Sequence, residues 1–92
     1  KKALKLDPSY VDAHVNLGNL YLARGQYQMA ITQYNTALKL DSKMIQAYYN
    51  LAITYVKTKQ LNKAVEVLKD GLKTNPNTGE LKKFLEELSA GS

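Results

Sequence analysis

Few residues of this chain have the types and spacing that catalysis or metal binding requires. There is no cysteine and a single histidine, His14, so the chain can assemble neither a thiolate metal site nor a nucleophile–base pair. Glu86 and Glu87 are neighbours on a predicted helix and point in different directions, which argues against a carboxylate pair. Phosphate-cradling glycine loops are missing. We therefore expect no enzymatic activity, metal or cofactor, and a packed, hydrogen-bonded His14.

Amide and aromatic side chains are the remaining candidates for binding chemistry. Asn16 and Asn50 are separated by 34 residues, and a carboxamide has both a donor and an acceptor for an extended backbone. Seven tyrosines and a net charge of +5 raise the possibility of a nucleic-acid surface. However, 13 basic and 8 acidic residues are interspersed, and most tyrosines fall at predicted core positions. We therefore expect no nucleic-acid binding.

The sequence repeats itself with a period of 34 residues. Leu17 aligns with Leu51 and Leu85, and Tyr21 aligns with Tyr55. A period of this length indicates stacked helical units, none of which buries its apolar face alone. Apolar residues at three- and four-residue steps predict helices over residues 10–24, 27–40, 44–58, 61–74 and 78–89. Close helix contacts are expected at the small residues Gly18, Ala30, Ala37, Ala52, Ala64 and Gly71.

The repeated residues resemble the tetratricopeptide repeat family. That family's pattern is a large residue, Leu-Gly, Tyr, Gly-x-Tyr, Ala, an aromatic residue, Ala and Pro. The first copy here is His14, Leu17, Gly18, Tyr21, Gly25, Tyr27, Ala30, Tyr34, Ala37 and, with a substitution, Ser42. The second copy is Tyr48, Leu51, Ala52, Tyr55, Lys59, Leu61, Ala64, Leu68, Gly71 and Pro76. The resemblance implies an all-α fold, a right-handed superhelical α-solenoid of antiparallel helix pairs.

The resemblance also organises the chain as one domain over residues 1–92. Residues 1–8 resemble the tail of a preceding repeat, residues 11–44 and 45–78 are two complete repeats, residues 79–89 are a capping helix, and residues 90–92 are a tail. We expect a piece of a longer array, in which Ala3, Leu4 and Leu6 leave apolar surface uncovered. Two complete repeats barely reach the number needed for a continuous core, so the predicted stability is moderate.

One turn position departs from the pattern. Lys59 stands where the preceding repeat has Gly25. If both residues adopt a left-handed backbone conformation, the side chain of Lys59 is disfavoured there. We therefore expect Lys59 to lower the stability of the fold.

In the family, the first helix of each repeat lines a concave groove that binds peptides. The resemblance assigns to this groove Asp12, Val15, Asn16, Asn19 and Ala23 from the first repeat, and Gln46, Tyr49, Asn50, Ile53 and Lys57 from the second. It implies that Asn16 and Asn50 form a ladder similar to that of the superhelical repeats in O-linked N-acetylglucosamine transferases. The alternative is that asparagine is simply common at these positions.

The resemblance implies a non-catalytic scaffold or adaptor that binds a protein or peptide partner. Self-assembly into a homo-oligomer through repeat edges is one alternative, and a targeting segment of a larger protein such as a glycosyltransferase is another. The family's carboxylate clamp for chaperone tails is not expected, because its positions hold Val15, Asn19, Asn50, Glu80 and Phe84 and lack three cations. No apolar run approaches the ~18–20 residues of a membrane span, so we expect a cytoplasmic chain that does not enter a membrane.

Overall fold

The computed structural model describes residues 8–90, with side-chain surroundings from residue 11 onward. Within this range the chain forms five α-helices and no strand: α1 Pro8–Ala23, α2 Tyr27–Leu40, α3 Ile45–Lys57, α4 Leu61–Thr74 and α5 Gly79–Ala90. The predicted helices are confirmed to within two residues at each end. The predictions for Ala3, Leu4 and Leu6 lie outside the described residues. No helix between residues 8 and 90 is long and apolar enough to cross a membrane.

The five helices form an inner and an outer layer. Each helix contacts the next one along the chain, and in addition α1 contacts α3 and α3 contacts α5. Across the described range, α2 and α4 make no such contact with each other. The array is therefore tighter on the side of α1, α3 and α5, which makes these three helices the concave inner layer. The resulting body measures 49 × 31 × 16 Å.

The same tight turn ends α1 and α3. Gly25 has φ 77° and Lys59 has φ 64°, so both residues adopt the left-handed conformation, as expected for this pair. The Gln26 N–H donates to the Tyr21 carbonyl at 2.9 Å, and the equivalent bond 34 residues later measures 2.8 Å. This six-to-one bond next to a left-handed residue is the Schellman motif, in which glycine is the usual left-handed residue.

The hydrophobic core consists of two clusters that share α3. The first cluster lies among α1, α2 and α3 and holds Val11, Val15, Ala30, Ile31, Tyr34, Ala37, Ala47 and Leu51. The second lies among α3, α4 and α5 and holds Tyr48, Ala52, Ala64, Leu68 and Leu81. Residues 47 and 48 belong to different clusters, and so do residues 51 and 52. Helix α3 is therefore buried on two sides.

Two helical glycines permit close contact between helices. A Cβ added at Gly71 would lie 2.8 Å from both Tyr48 Cγ and Leu81 Cδ1, and one added at Gly18 would lie 2.6 Å from Tyr34 Cε1. Such distances are shorter than side-chain contacts allow, so an aromatic ring occupies the space that a methyl group would need. The prediction that small residues mark close helix contacts is confirmed, and the four alanines of that set are fully buried.

Candidate functional site

The residues predicted to line a groove fall on α1 and α3, two helices of the inner layer. Their side chains differ in exposure. The exposed ones are Asp12, Asn16, Asn19, Ala23, Gln46 and Lys57, and the half-buried ones are Tyr49, Asn50 and Ile53. The inner face therefore offers polar groups on α1 and partly accessible apolar groups on α3.

Val15 does not lie on this surface. Its side chain is only 2% exposed and belongs to the first hydrophobic cluster, together with Ala47 and Leu51 of α3. Because α1 packs directly against α3, this position is covered by protein and contributes to stability instead of ligand contact. The prediction that Val15 lines a groove is wrong.

Asn19 connects three helices through its side-chain oxygen. Asn19 Oδ1 accepts one hydrogen bond from the Tyr34 hydroxyl at 2.5 Å and another from Asn50 Nδ2 at 2.9 Å. Tyr34 is fully buried, and this burial raises the pKa of its hydroxyl to about 12, so the group is a neutral donor near pH 7. The orientation of the Asn19 amide is thereby fixed, and Asn19 in turn orients the Asn50 amide.

This network changes the interpretation of the asparagine ladder. Asn16 is exposed on α1, but Asn50 donates to Asn19 and is half-buried. The two predicted ladder residues are therefore not equivalent, although they are equivalent in sequence. A peptide can reach the Asn16 amide directly, whereas pairing with the Asn50 donor must compete with or extend its bond to Asn19.

The inner face continues onto α5, which the groove prediction did not include. A depression of about 260 Å³ lies between α3 and α5 and is lined by Tyr49, Glu80, Lys83, Phe84 and Glu87. The ring centroids of Tyr49 and Phe84 are 5.2 Å apart with the planes tilted by 56°, which is the geometry of an attractive aromatic pair. The 34-residue period, carried one unit further, was the signal for these residues, because it maps α3 onto α5.

His14 lies between the two helices of the first pair and has a structural contact. The ring is half-buried, and its Nδ1 is 2.7 Å from Oε1 of Gln33 on α2. An amide oxygen only accepts hydrogen bonds, so Nδ1 carries the proton in this assignment. The prediction of a packed, hydrogen-bonded histidine is confirmed. Within the described part of the chain, no group of three histidine or carboxylate side chains is arranged to hold a metal ion.

Sequence comparison agrees with this architecture. A family model described as TPR repeat matches residues 18–59, and two models described as tetratricopeptide repeat match residues 1–32 and 45–78. These matches together span residues 1–78, and the chain belongs to the tetratricopeptide repeat family. The predicted class, an all-α helical-repeat solenoid, is confirmed. No curated protein sequence matches the chain significantly.

Membership of this family has a general functional meaning. Tetratricopeptide repeats generally mediate protein–protein interactions and typically have no catalytic activity of their own. The fold alone names no partner, because many different binding sites occur on one fold. The chemistry of the inner face must therefore supply the remaining argument.

Proposed function

We propose that this chain is a non-catalytic scaffold or adaptor module that holds an extended peptide of a partner protein along the inner face of α1, α3 and α5. The observation that carries this proposal is the set of half-buried apolar side chains Tyr49, Ile53 and Phe84, which lie on the same face as the exposed Asn16. Apolar contact area beside a few oriented polar groups is the usual composition of a binding site.

The polar groups suit the backbone of a peptide better than any particular side chain. A carboxamide can donate to a carbonyl and accept from an N–H of the same extended strand. Each such bond contributes roughly 0.5–1.5 kcal/mol of net binding free energy, so two asparagines supply affinity with little sequence preference. Asn19 supports this arrangement indirectly, since it holds the Asn50 amide in place.

An acidic chaperone tail is a poor ligand for this face. The positions at which the family's clamp would place cations include Val15, which is buried, and Glu80 and Phe84, which line the depression between α3 and α5. Two tail carboxylates would lose hydration without gaining charge-assisted hydrogen bonds. The proposed partner is therefore a peptide of another class.

Self-assembly through a repeat edge is a second candidate, and one observation favours it. Leu17 and Leu20 of α1 are 37% and 47% exposed, whereas their counterparts one period later, Leu51 and Thr54, are 2% and 0% exposed. One side of α1 thus lacks the neighbour that covers α3. Sedimentation velocity over a concentration series tests this candidate, and a monomer at every concentration excludes it.

The peptide proposal is tested with the variant Asn16→Ala/Asn50→Ala. A fluorescent peptide selected on the wild-type chain from a random library is titrated against both proteins by anisotropy, and we expect affinity to fall about tenfold or more. The control is Asn35→Ala/Asn62→Ala, which removes two exposed asparagines from the outer helices α2 and α4. Unchanged affinity in the first variant, or equal loss in the control, would contradict the proposal.

Thermal melting of the same variants separates binding from folding. Asn16→Ala should leave the melting temperature unchanged because its side chain is exposed. Asn50→Ala loses its hydrogen bond to Asn19 and should cost roughly 0.5–1.5 kcal/mol. Global unfolding of the double variant would show that the asparagines are structural residues.

A further inference from the structure

The depression between α3 and α5 combines an aromatic pair with an excess of carboxylates. Its charged lining consists of Glu80, Glu87 and Lys83, all exposed, so it carries one net negative charge at neutral pH. The whole chain has the opposite sign, a net charge of +5. The depression is therefore a local negative region on a positively charged protein.

The two carboxylates are placed around one ring. Glu80 precedes Phe84 by four residues and Glu87 follows it by three, and residues at these spacings share one side of a helix. Lys83 is also within reach of these turns, but one ammonium neutralises one carboxylate charge. A second carboxylate thus remains next to the rings of Tyr49 and Phe84.

Aromatic rings and carboxylates attract the same kind of group. The faces of aromatic rings attract cations when the charge lies within about 6 Å of the ring centroid. The chain has one such contact elsewhere, since Lys63 Nζ lies 5.9 Å from the centroid of Tyr55. A carboxylate beside the ring adds a charge-assisted hydrogen bond to a guanidinium or ammonium group.

We propose that this depression selects an arginine or lysine side chain of the bound peptide, with its charge against the Tyr49–Phe84 pair and between Glu80 and Glu87. The inference rests on the proposed peptide-binding function and names the chemistry of the partner. An acidic side chain would meet two carboxylates, and an apolar one would desolvate them without providing a counter-charge. A basic side chain satisfies both features of the site.

Selection from a random peptide library displayed on phage tests both levels of the argument. We expect arginine or lysine to be enriched at one position, although the net positive charge of the chain favours acidic peptides in non-specific binding. Enriched peptides without a basic position would overturn this inference and leave the peptide-binding function standing. A library that yields no binding peptide would overturn both.

Charge variants then locate the basic side chain. Glu80→Gln/Glu87→Gln should weaken binding of a selected basic peptide about three- to tenfold, and Lys83→Gln should strengthen it by about two- to threefold. The control, Glu66→Gln/Asp70→Asn on the outer helix α4, removes the same two charges at exposed positions and should have little effect. Equal effects of the two double variants, or weaker binding to Lys83→Gln, would overturn the assignment.

The peptide offers a matching test from the other side of the contact. Replacing its enriched basic residue by norleucine, which keeps the alkyl chain and removes the charge, should reproduce the loss seen with Glu80→Gln/Glu87→Gln. The two changes should not add when combined, because they remove the same contact. Full additivity would show that the basic side chain binds elsewhere.

Discussion

Replacing Lys59 by glycine should stabilise the fold. Lys59 is exposed and has φ 64°, a left-handed conformation that side chains disfavour. Its counterpart Gly25 closes the same turn at φ 77° with the same hydrogen bonds. The native geometry of the turn is therefore already compatible with glycine, and the substitution removes strain without removing a buried contact.

The magnitude follows from two opposing terms. A left-handed conformation costs a residue with a side chain roughly 1–2 kcal/mol. Glycine loses roughly 0.4–1 kcal/mol through the greater freedom of the unfolded chain. The net gain is then about 0.5–1 kcal/mol. For a domain of this size a change of 1 kcal/mol shifts the melting temperature by roughly 4–8 °C, so we expect a rise of about 2–8 °C.

Thermal unfolding followed by circular dichroism measures this shift, and Lys59→Ala is the matched control. Alanine removes the same positive charge but keeps a Cβ, so it retains the backbone strain. The converse variant, Gly25→Ala, should destabilise, although a Cβ there would meet no atom within 4 Å. If alanine at position 59 raises the melting temperature as much as glycine does, charge repulsion and not backbone strain explains the effect. A lower melting temperature for Lys59→Gly would refute the reasoning.

Three further predictions concern packing, the buried hydroxyl and ligand charge. Gly71→Ala should destabilise the fold by roughly 1–3 kcal/mol in denaturant melts, because a Cβ there overlaps two side chains, whereas Gly79→Ala has open space around it and should have no such packing cost. Asn19→Ala should cost roughly 1–3 kcal/mol because it leaves the buried Tyr34 hydroxyl without this acceptor, and adding Tyr34→Phe should recover part of the loss. The pKa of Tyr34 rises from 10.0 to about 12 on folding, so the folded chain binds more protons above pH 10 and stability should fall as pH rises from about 10 to about 12. Comparing alkaline melts of the wild type and Tyr34→Phe isolates this contribution, and identical pH profiles would contradict it. A chaperone-tail peptide ending in two carboxylates should show no specific binding in calorimetric titration, and micromolar affinity would contradict the charge argument.

The helices could be predicted from the sequence because their signals are local and periodic. Helices α2 and α4 begin and end where the apolar spacing predicts. The turn residues Gly25 and Lys59 could be paired because the 34-residue period places them in equivalent positions. The buried side of each helix likewise follows from residues that recur at three- and four-residue steps.

The contacts of the candidate site could not be predicted in the same way. The Asn19–Asn50 hydrogen bond spans 31 residues and the Tyr49–Phe84 ring pair spans 35, so both join positions that are not equivalent in the repeat. A comparison at a shift of 34 identifies residues in the same place, but it does not show which different places meet across neighbouring helices. The burial of Val15 depends on the same missing information.

Helix α3 belongs to both hydrophobic clusters, and this has a consequence for how the chain opens. No internal boundary divides the array, so local unfolding must begin at α1 or α5, each of which is packed into one cluster. The amides of α3 should therefore exchange with solvent most slowly. Tyr49, Asn50 and Ile53 lie on that helix, while Asn16 and Phe84 lie on the two helices that fray first. The binding face thus has a rigid middle and two adjustable margins, which lets one surface accept peptides of different length while the central register stays fixed.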